Sequence, residues 1–210
     1  MTTELEIFNQ ALSHLGQFPL STLEDTGDVR CIAYNTHYTQ TLKFVLGDTK
    51  PPFAKKIQVL NRLSDVEVPG YAAVFQDPGD MILPRSIRFK VDGEKGIPVL
   101  NWIQTRCADI SSSVIAVGWQ SDDIDVEDVD TEVVFEYIAL VEETSMYDSY
   151  FIDALALRLA ANCAILITSK LENRQLFMGE YVQSAAIART QYALMVDEER
   201  PVYEGVTDDR

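Results

Sequence analysis

Seven acids fall within the twelve residues SDDIDVEDVDTE, positions 121–132, the densest run of chemically capable side chains in the sequence. A calcium loop is the first chemistry such a run suggests. An EF-hand loop needs Gly at its sixth position and a bidentate Glu in register at its end, and neither arrangement is present. The stretch therefore reads as a solvated loop between strands. The two histidines, His14 and His37, fall on separate helical patterns with no HxxxH pair, so no zinc ligand set of the His/Cys kind is expected. The three cysteines, Cys31, Cys107 and Cys163, are widely spaced and odd in number, which reads as small apolar residues in a reducing compartment. The sequence has no P-loop, no GxGxxG after a strand and no GxSxG nucleophile elbow. A carboxylate pair for glycoside or phosphoester hydrolysis stays open, but nothing singles one pair out of thirty-three acids. No catalytic residue, cofactor or metal is assigned.

Charge narrows the partners. The net charge is −16, and residues 96–146 alone carry −10, with one base against eleven acids. A broad duplex-binding face needs clustered Lys and Arg, which this balance argues against. Residues 50–95 hold a small basic excess through Lys50, Lys55, Lys56, Arg62, Arg85, Arg88, Lys90 and Lys95. Six acids are interleaved with these eight, so a salt-bridged face is the expectation.

These residues must be positioned by two kinds of element. Leu5, Phe8, Leu12 and Leu15 lie at helical spacing over 3–15, with Gly16 as the stop. A second helix is predicted from a cap at Asp28 to about Leu46, with Cys31, Tyr34, Tyr38, Leu42 and Val45 on one stripe and Gly47 closing it. Phe53 to Leu63 reads as a shorter helix. The period then changes to two. SIRFKVDG, PVLNWIQ, SVIAVGWQ and EVVFEYIALVEE are rich in β-branched and aromatic residues and read as strands, the first turning at Asp92-Gly93. The last strand is apolar on both faces, which predicts cover on both sides. Two helices joined by the short SKLENRQ finish the chain and should pack as an antiparallel hairpin. The expected architecture is α+β. An antiparallel helical bundle from 1–68 and 147–199 carries a β-rich insertion at 69–146, and an extended acidic tail follows at 200–210.

FIDALALRLAANCAILIT, positions 151–168, has fourteen apolar residues in eighteen. Asp153, Arg158 and Asn162 would all lie in hydrocarbon if it spanned a membrane, and charges there cost about 3 kcal/mol each. A soluble helix buried on most of its circumference is the better reading, and no membrane partner is expected. The amino-terminal MTTELEIFNQ has two acids and no base ahead of its apolar positions, so it does not read as a secretory signal.

FNQALSHLGQFPLSTLED resembles the opening signature of the tail tubular protein A family, the head-to-tail adaptors of short-tailed phages, at Asn9, Ala11, Leu12, Leu15, Gly16, Ser21 and Leu23. PPFAKK is similar to that family's Trp-x-Phe-Ala element at Phe53-Ala54, with Pro51-Pro52 where the family has Trp. YAAVFQDPGDMI resembles its Pro-x-Asp element at Tyr71, Phe75, Pro78 and Asp80. YIALVEETSMYDSYFIDALALRLAANCA resembles its closing strand and helix at Tyr137, Ile138, Phe151, Ala154, Leu155, Leu159 and Ala160. The motifs occur in order over nearly the whole chain, although the acidic stretch 121–132 has no counterpart.

The resemblance implies a structural virion protein with no enzymatic activity. It would assemble in the host cytoplasm as a homo-oligomeric ring, usually of twelve copies, at the head–tail junction. The ring would join the portal protein to the tail nozzle protein, and genomic DNA would pass through it without sequence-specific contact. A helix apolar nearly all round and a strand apolar on both faces suggest more oily surface than one chain can cover. The subunit interface is therefore expected at Phe151, Leu155 and Leu159 and at Val133, Phe135 and Tyr137. The acids Asp122, Asp123, Asp125, Glu127, Asp128 and Asp130 are expected to face the channel and repel DNA phosphates. Two other classes stay open on the residues alone: a small acid-dependent hydrolase of the tail, and a bundle that binds a helical partner in an apolar groove.

Overall fold

The protein is described from a computed structural model at residues 2–90, 97–107, 112–118 and 132–198. It is an α+β protein of four helices and two antiparallel sheets. The chain divides into two units. One holds Met1–Phe53 and Glu142–Arg210, and the other holds Ala54–Val141.

In the first unit, helix α1 (Glu4–His14) opens with a capping box. The Thr3 hydroxyl accepts from the Glu6 amide and the Glu6 carboxylate accepts from the Thr3 amide, so two orphan donors of the first turn are satisfied. Ile7, Phe8, Ala11 and Leu12 are buried, and Gly16 at φ +68° takes the left-handed position past the helix end. Helix α2 (Val29–Thr49) is capped by Asp28, whose Oδ1 accepts from the Arg30 amide at 2.8 Å. Its buried stripe includes Cys31, Tyr34, Tyr38, Leu42 and Val45, as the spacing predicts. Gly47 does not close it. The helix runs on to Thr49, and Lys50 at φ 54° caps it in the left-handed conformation immediately before Pro51, where no further helical turn fits.

Helix α3 (Ser149–Thr168) is the center of this unit, with α1, α2 and α4 (Leu171–Glu198) packed against it. Asp148 caps it by accepting from the Phe151 amide at 2.9 Å. Five alanines, Ala154, Ala156, Ala160, Ala161 and Ala164, are buried along it and let neighboring helices approach closely. Among the described residues it alone is long and apolar enough to cross a membrane. The three polar residues that count against a span have partners in the bundle. Asp153 accepts from the Ser184 hydroxyl, Asn162 donates to the Thr41 hydroxyl, and Arg158 lies over the rings of Phe44 and Tyr181. Only Ser169 and Lys170 separate α3 from α4, so the two helices form the expected hairpin.

The second unit is a pair of stacked antiparallel sheets. Strands β1 (Lys55–Val59), β2 (Ala73–Gln76), β3 (Met81–Phe89), β4 (Ile97–Pro98), β5 (Trp102–Cys107), β6 (Ser112–Val117) and β7 (Val133–Ala139) form sheets of order β1-β7-β3-β4 and β2-β6-β5. Their shared core joins Ile87, Phe89, Val133, Phe135 and Tyr137 of the first sheet to Phe75, Ile115 and Val117 of the second. On its other face the second sheet is covered by the 60–72 connection, where Val66 meets Val74, Cys107 and Val114.

The helix expected over Phe53–Leu63 is instead one 3-10 turn, Pro52–Ala54, followed by β1. Apolar residues three apart fit either period in so short a run, and pairing of Ile57 opposite Glu136 and Val59 opposite Val134 decides for the strand. This strand moves the unit boundary from 69 to Ala54. At the other end the β unit closes at Val141 rather than 146, because the chain turns into helical territory at Thr144–Met146. Strand β3 begins at Met81, five residues before the expected start, and β2 was not anticipated. The expected turn at Asp92-Gly93 and the tail 200–210 lie outside the described residues. The three cysteines are free and buried. Burial pushes the Cys163 thiol up to about 12, which keeps it unreactive at neutral pH.

Candidate functional site

The six residues expected at a subunit interface are interior residues of single units. Phe151, Leu155 and Leu159 are fully buried in the helical unit, and Val133, Phe135 and Tyr137 in the β unit, none more than 1% exposed. A neighboring chain cannot reach them without unfolding the unit that holds them. The reason is topological. Helix α3 is enclosed by three others, and β7 is an inner strand whose Val133–Phe135–Tyr137 face meets the second sheet. The opposite face of β7 is not sealed: Val134 and Glu136 are half-buried, so the cover expected on both sides is partial. The candidate channel acids Asp122, Asp123, Asp125, Glu127, Asp128 and Asp130 lie outside the described residues.

The positions that carry the family resemblance have identifiable structural tasks. Asn9 clamps the loop after α1, its amide donating to the Leu20 carbonyl at 3.0 Å and accepting from the Leu20 N–H at 2.7 Å. Phe53 meets Tyr147 and Phe151 edgewise or tilted at 5.5 and 5.2 Å, and Ala54 is buried. Pro78 sits in the turn between β2 and β3, beside Gly79 at φ +81°. Phe75, Tyr137, Ile138, Phe151 and Leu159 are core residues. The resembling positions thus speak to fold more than to partners.

Polar chemistry concentrates in tyrosine–carboxylate pairs. Tyr34 donates to Glu4, tying α2 to α1, and Tyr181 donates to Asp48, tying α4 to α2. Tyr192 donates to both oxygens of the Asp148 cap at 2.8 Å, tying α4 to the start of α3. Burial first, then the neighboring carboxylate, raises each of these phenols well above its ordinary value. A phenol held this firmly protonated is a bolt and not a base. Sequence spacing placed these tyrosines on apolar stripes, and that signal concealed the hydroxyl partners. His14 packs near Phe177, and His37 is half-buried on α2, so the two histidines share no site.

Among the described residues of the β unit, Asp80 is the carboxylate with both a cation and a phenol. Lys56 Nζ lies 2.5 Å from Oδ2, and the Tyr137 hydroxyl donates to Oδ1 at 3.0 Å. Burial raises its pKa, but the Lys56 and Tyr137 hydrogen bonds outweigh that and hold it below 3.8. A depressed carboxyl stabilizes the fold above the unfolded pKa and loses that contribution as pH falls through the folded value. Asp80→Asn should therefore lower Tm at neutral pH, with the gap to wild type narrowing below about pH 4. A gap that is the same at every pH would assign the effect to packing instead. Three further bases of this unit form salt bridges: Lys55 and Arg85 both reach Glu136 at 3.3 Å, and Lys90 reaches Glu132.

Among the described residues no group of three His, Cys, Asp or Glu side chains is arranged to hold a metal. The accessible apolar surface is elsewhere. On α4, Phe177, Tyr181, Ala185, Ala188 and Tyr192 turn inward, while Leu176, Ile187 and Leu194 stand on the side away from them, each a little over half exposed. Their spacing of eleven and seven residues keeps them on one line. The sequence reading used the inward stripe alone and passed over this second one. No protein-family model matches this sequence, and no curated protein matches it either.

Proposed function

We propose that the protein is a structural adaptor of a phage head–tail junction, assembling as a homo-oligomeric ring between portal and tail nozzle, with no catalytic role. The observation that carries this reading is the exposed line Leu176, Ile187, Leu194 on a 28-residue helix of a strongly acidic chain. Copies at −16 repel one another, so stable association requires apolar contact, and a long straight line of it suits helix-on-helix packing. Support from the sequence is the ordered set of motifs that resemble the tail tubular protein A family. The interface moves in this reading from α3 and β7 to the outer side of α4. The ring would leave a channel for DNA, and acidic walls would let phosphates slide past.

Light scattering after size exclusion tests it, with the chain alone and mixed with its portal. Ile187→Glu with Leu194→Glu should leave Tm within about 2 °C of wild type, since exposed substitutions cost little, and should abolish ring formation. Rings that form equally well in the double variant would remove α4 from the interface. A wild-type chain that stays monomeric with its portal present would end the adaptor reading.

A further inference from the structure

Between α2 and α3 an open pocket of about 250 Å³ is lined by His37, Gln40, Thr41, Phe44, Arg158 and Asn162. Arg158 is its only cation, and among the described residues no carboxylate pairs with it. Its guanidinium carbon lies 4.3 Å from the Phe44 ring center and 5.0 Å from that of Tyr181. One Nη contacts only the thioether of Met178, a weak acceptor, and Nε is buried with no hydrogen-bond partner. Two carboxylates of the same unit are engaged elsewhere: Asp48 by Tyr181 and Arg189, and Asp153 by Ser184.

A half-buried guanidinium normally has an anion in its plane, and a buried N–H without an acceptor calls for an explanation. Nε is buried and one Nη faces Met178, so the other Nη is the guanidinium nitrogen left for a partner from outside. We propose that this pocket binds an organic monocarboxylate, held by the remaining Nη of Arg158 with Asn162, Thr41 and Gln40 around it and its carbon chain against Phe44. The class follows from charge. One cation neutralizes one carboxylate, whereas a phosphate dianion would enter a site with a single compensating charge in a chain of net −16. The half-exposed Phe44 ring adds an apolar wall that a bare inorganic ion does not use. Two sources supply this chemistry: a free organic acid, or an Asp or Glu side chain of a second copy. The assignment does not rest on the adaptor reading.

The test uses the full chain with butyrate as probe, against chloride and inorganic phosphate at equal ionic strength. Butyrate tenfold above its Kd should raise Tm by about 3 °C in wild type, with phosphate indistinguishable from chloride. Arg158→Met should fold, because it removes an unpaired charge, and should lose the response. Asn162→Asp, one helical turn from Arg158, supplies the carboxylate internally and should be more stable than wild type and blind to butyrate. A carboxylate donated by a second copy would show instead as butyrate lowering the oligomer fraction in light scattering, again only with Arg158 present. The proposal is overturned by a butyrate response that survives Arg158→Met or Asn162→Asp, by an equal response to phosphate, or by no effect of butyrate on either Tm or oligomer fraction.

Discussion

Leu159→Asp should leave the helical unit without a native state. Leu159 sits mid-way along α3 with no exposure, at the center of a helix that touches all three others of its unit. Removing its side chain costs about 2–5 kcal/mol in lost burial and residual cavity. An unpaired carboxylate in the same place adds several kcal/mol more. Together these approach the roughly 5–15 kcal/mol that holds a whole domain. Relief by protonation only trades the charge for a neutral acid that still lacks a partner. The control is Leu166→Asp on the same helix, where the side chain is 44% exposed and the change should cost about 0.5 kcal/mol or less. Circular dichroism at 222 nm through a thermal melt distinguishes them. A cooperative helical melt of Leu159→Asp within a few degrees of wild type would show that α3 is not enclosed.

That contrast also marks what the sequence could and could not tell. Long periodic elements were readable, because burial imposes 3.6-residue spacing on α1, α2 and α4 over many turns. Strand β1 was not readable, because Ile57, Leu60 and Leu63 satisfy a helical period and only the distant partner β7 overrules it. Strand β2 has four residues and too little alternation to register. The position of Arg158 was legible as a charge inside an apolar helix, but not its lack of a carboxylate, which depends on the partners that Asp48 of α2 and Asp153 of α3 take instead.

The six residues expected at a subunit interface are buried within the chain for a physical reason. Composition counts how apolar an element is, but not how many neighbors it has. Helix α3 is apolar nearly all round because three helices surround it, and β7 because it is an inner strand facing a second sheet. Excess oiliness in the most apolar element therefore marks centrality within the chain. Surface available to other chains shows instead on an element that already has an inward stripe and carries a second one, as α4 does with Leu176, Ile187 and Leu194.

Phe135→Ala should destabilize the β unit by about 3–5 kcal/mol. Phe135 is fully buried on β7, with its ring stacked on Tyr137 at 5.2 Å and edge-on to Trp102 at 6.1 Å. It is thus held by both sheets at once, since Trp102 belongs to β5 and Tyr137 to β7. Truncation removes the transfer energy of the ring, leaves a void that two flanking strands resist closing, and deletes two aromatic contacts of about 0.5–1.5 kcal/mol each. The effect is separable from the helices, because both tryptophans, Trp102 and Trp119, fall within the residue range of the β unit. Urea unfolding followed by tryptophan emission should move to a lower midpoint with little change in slope. Phe135→Leu, which fills most of the volume without the ring contacts, should recover more than half of the loss. A shift below about 1 kcal/mol for the alanine variant would mean that the two sheets close over the gap and that Phe135 is not what joins them.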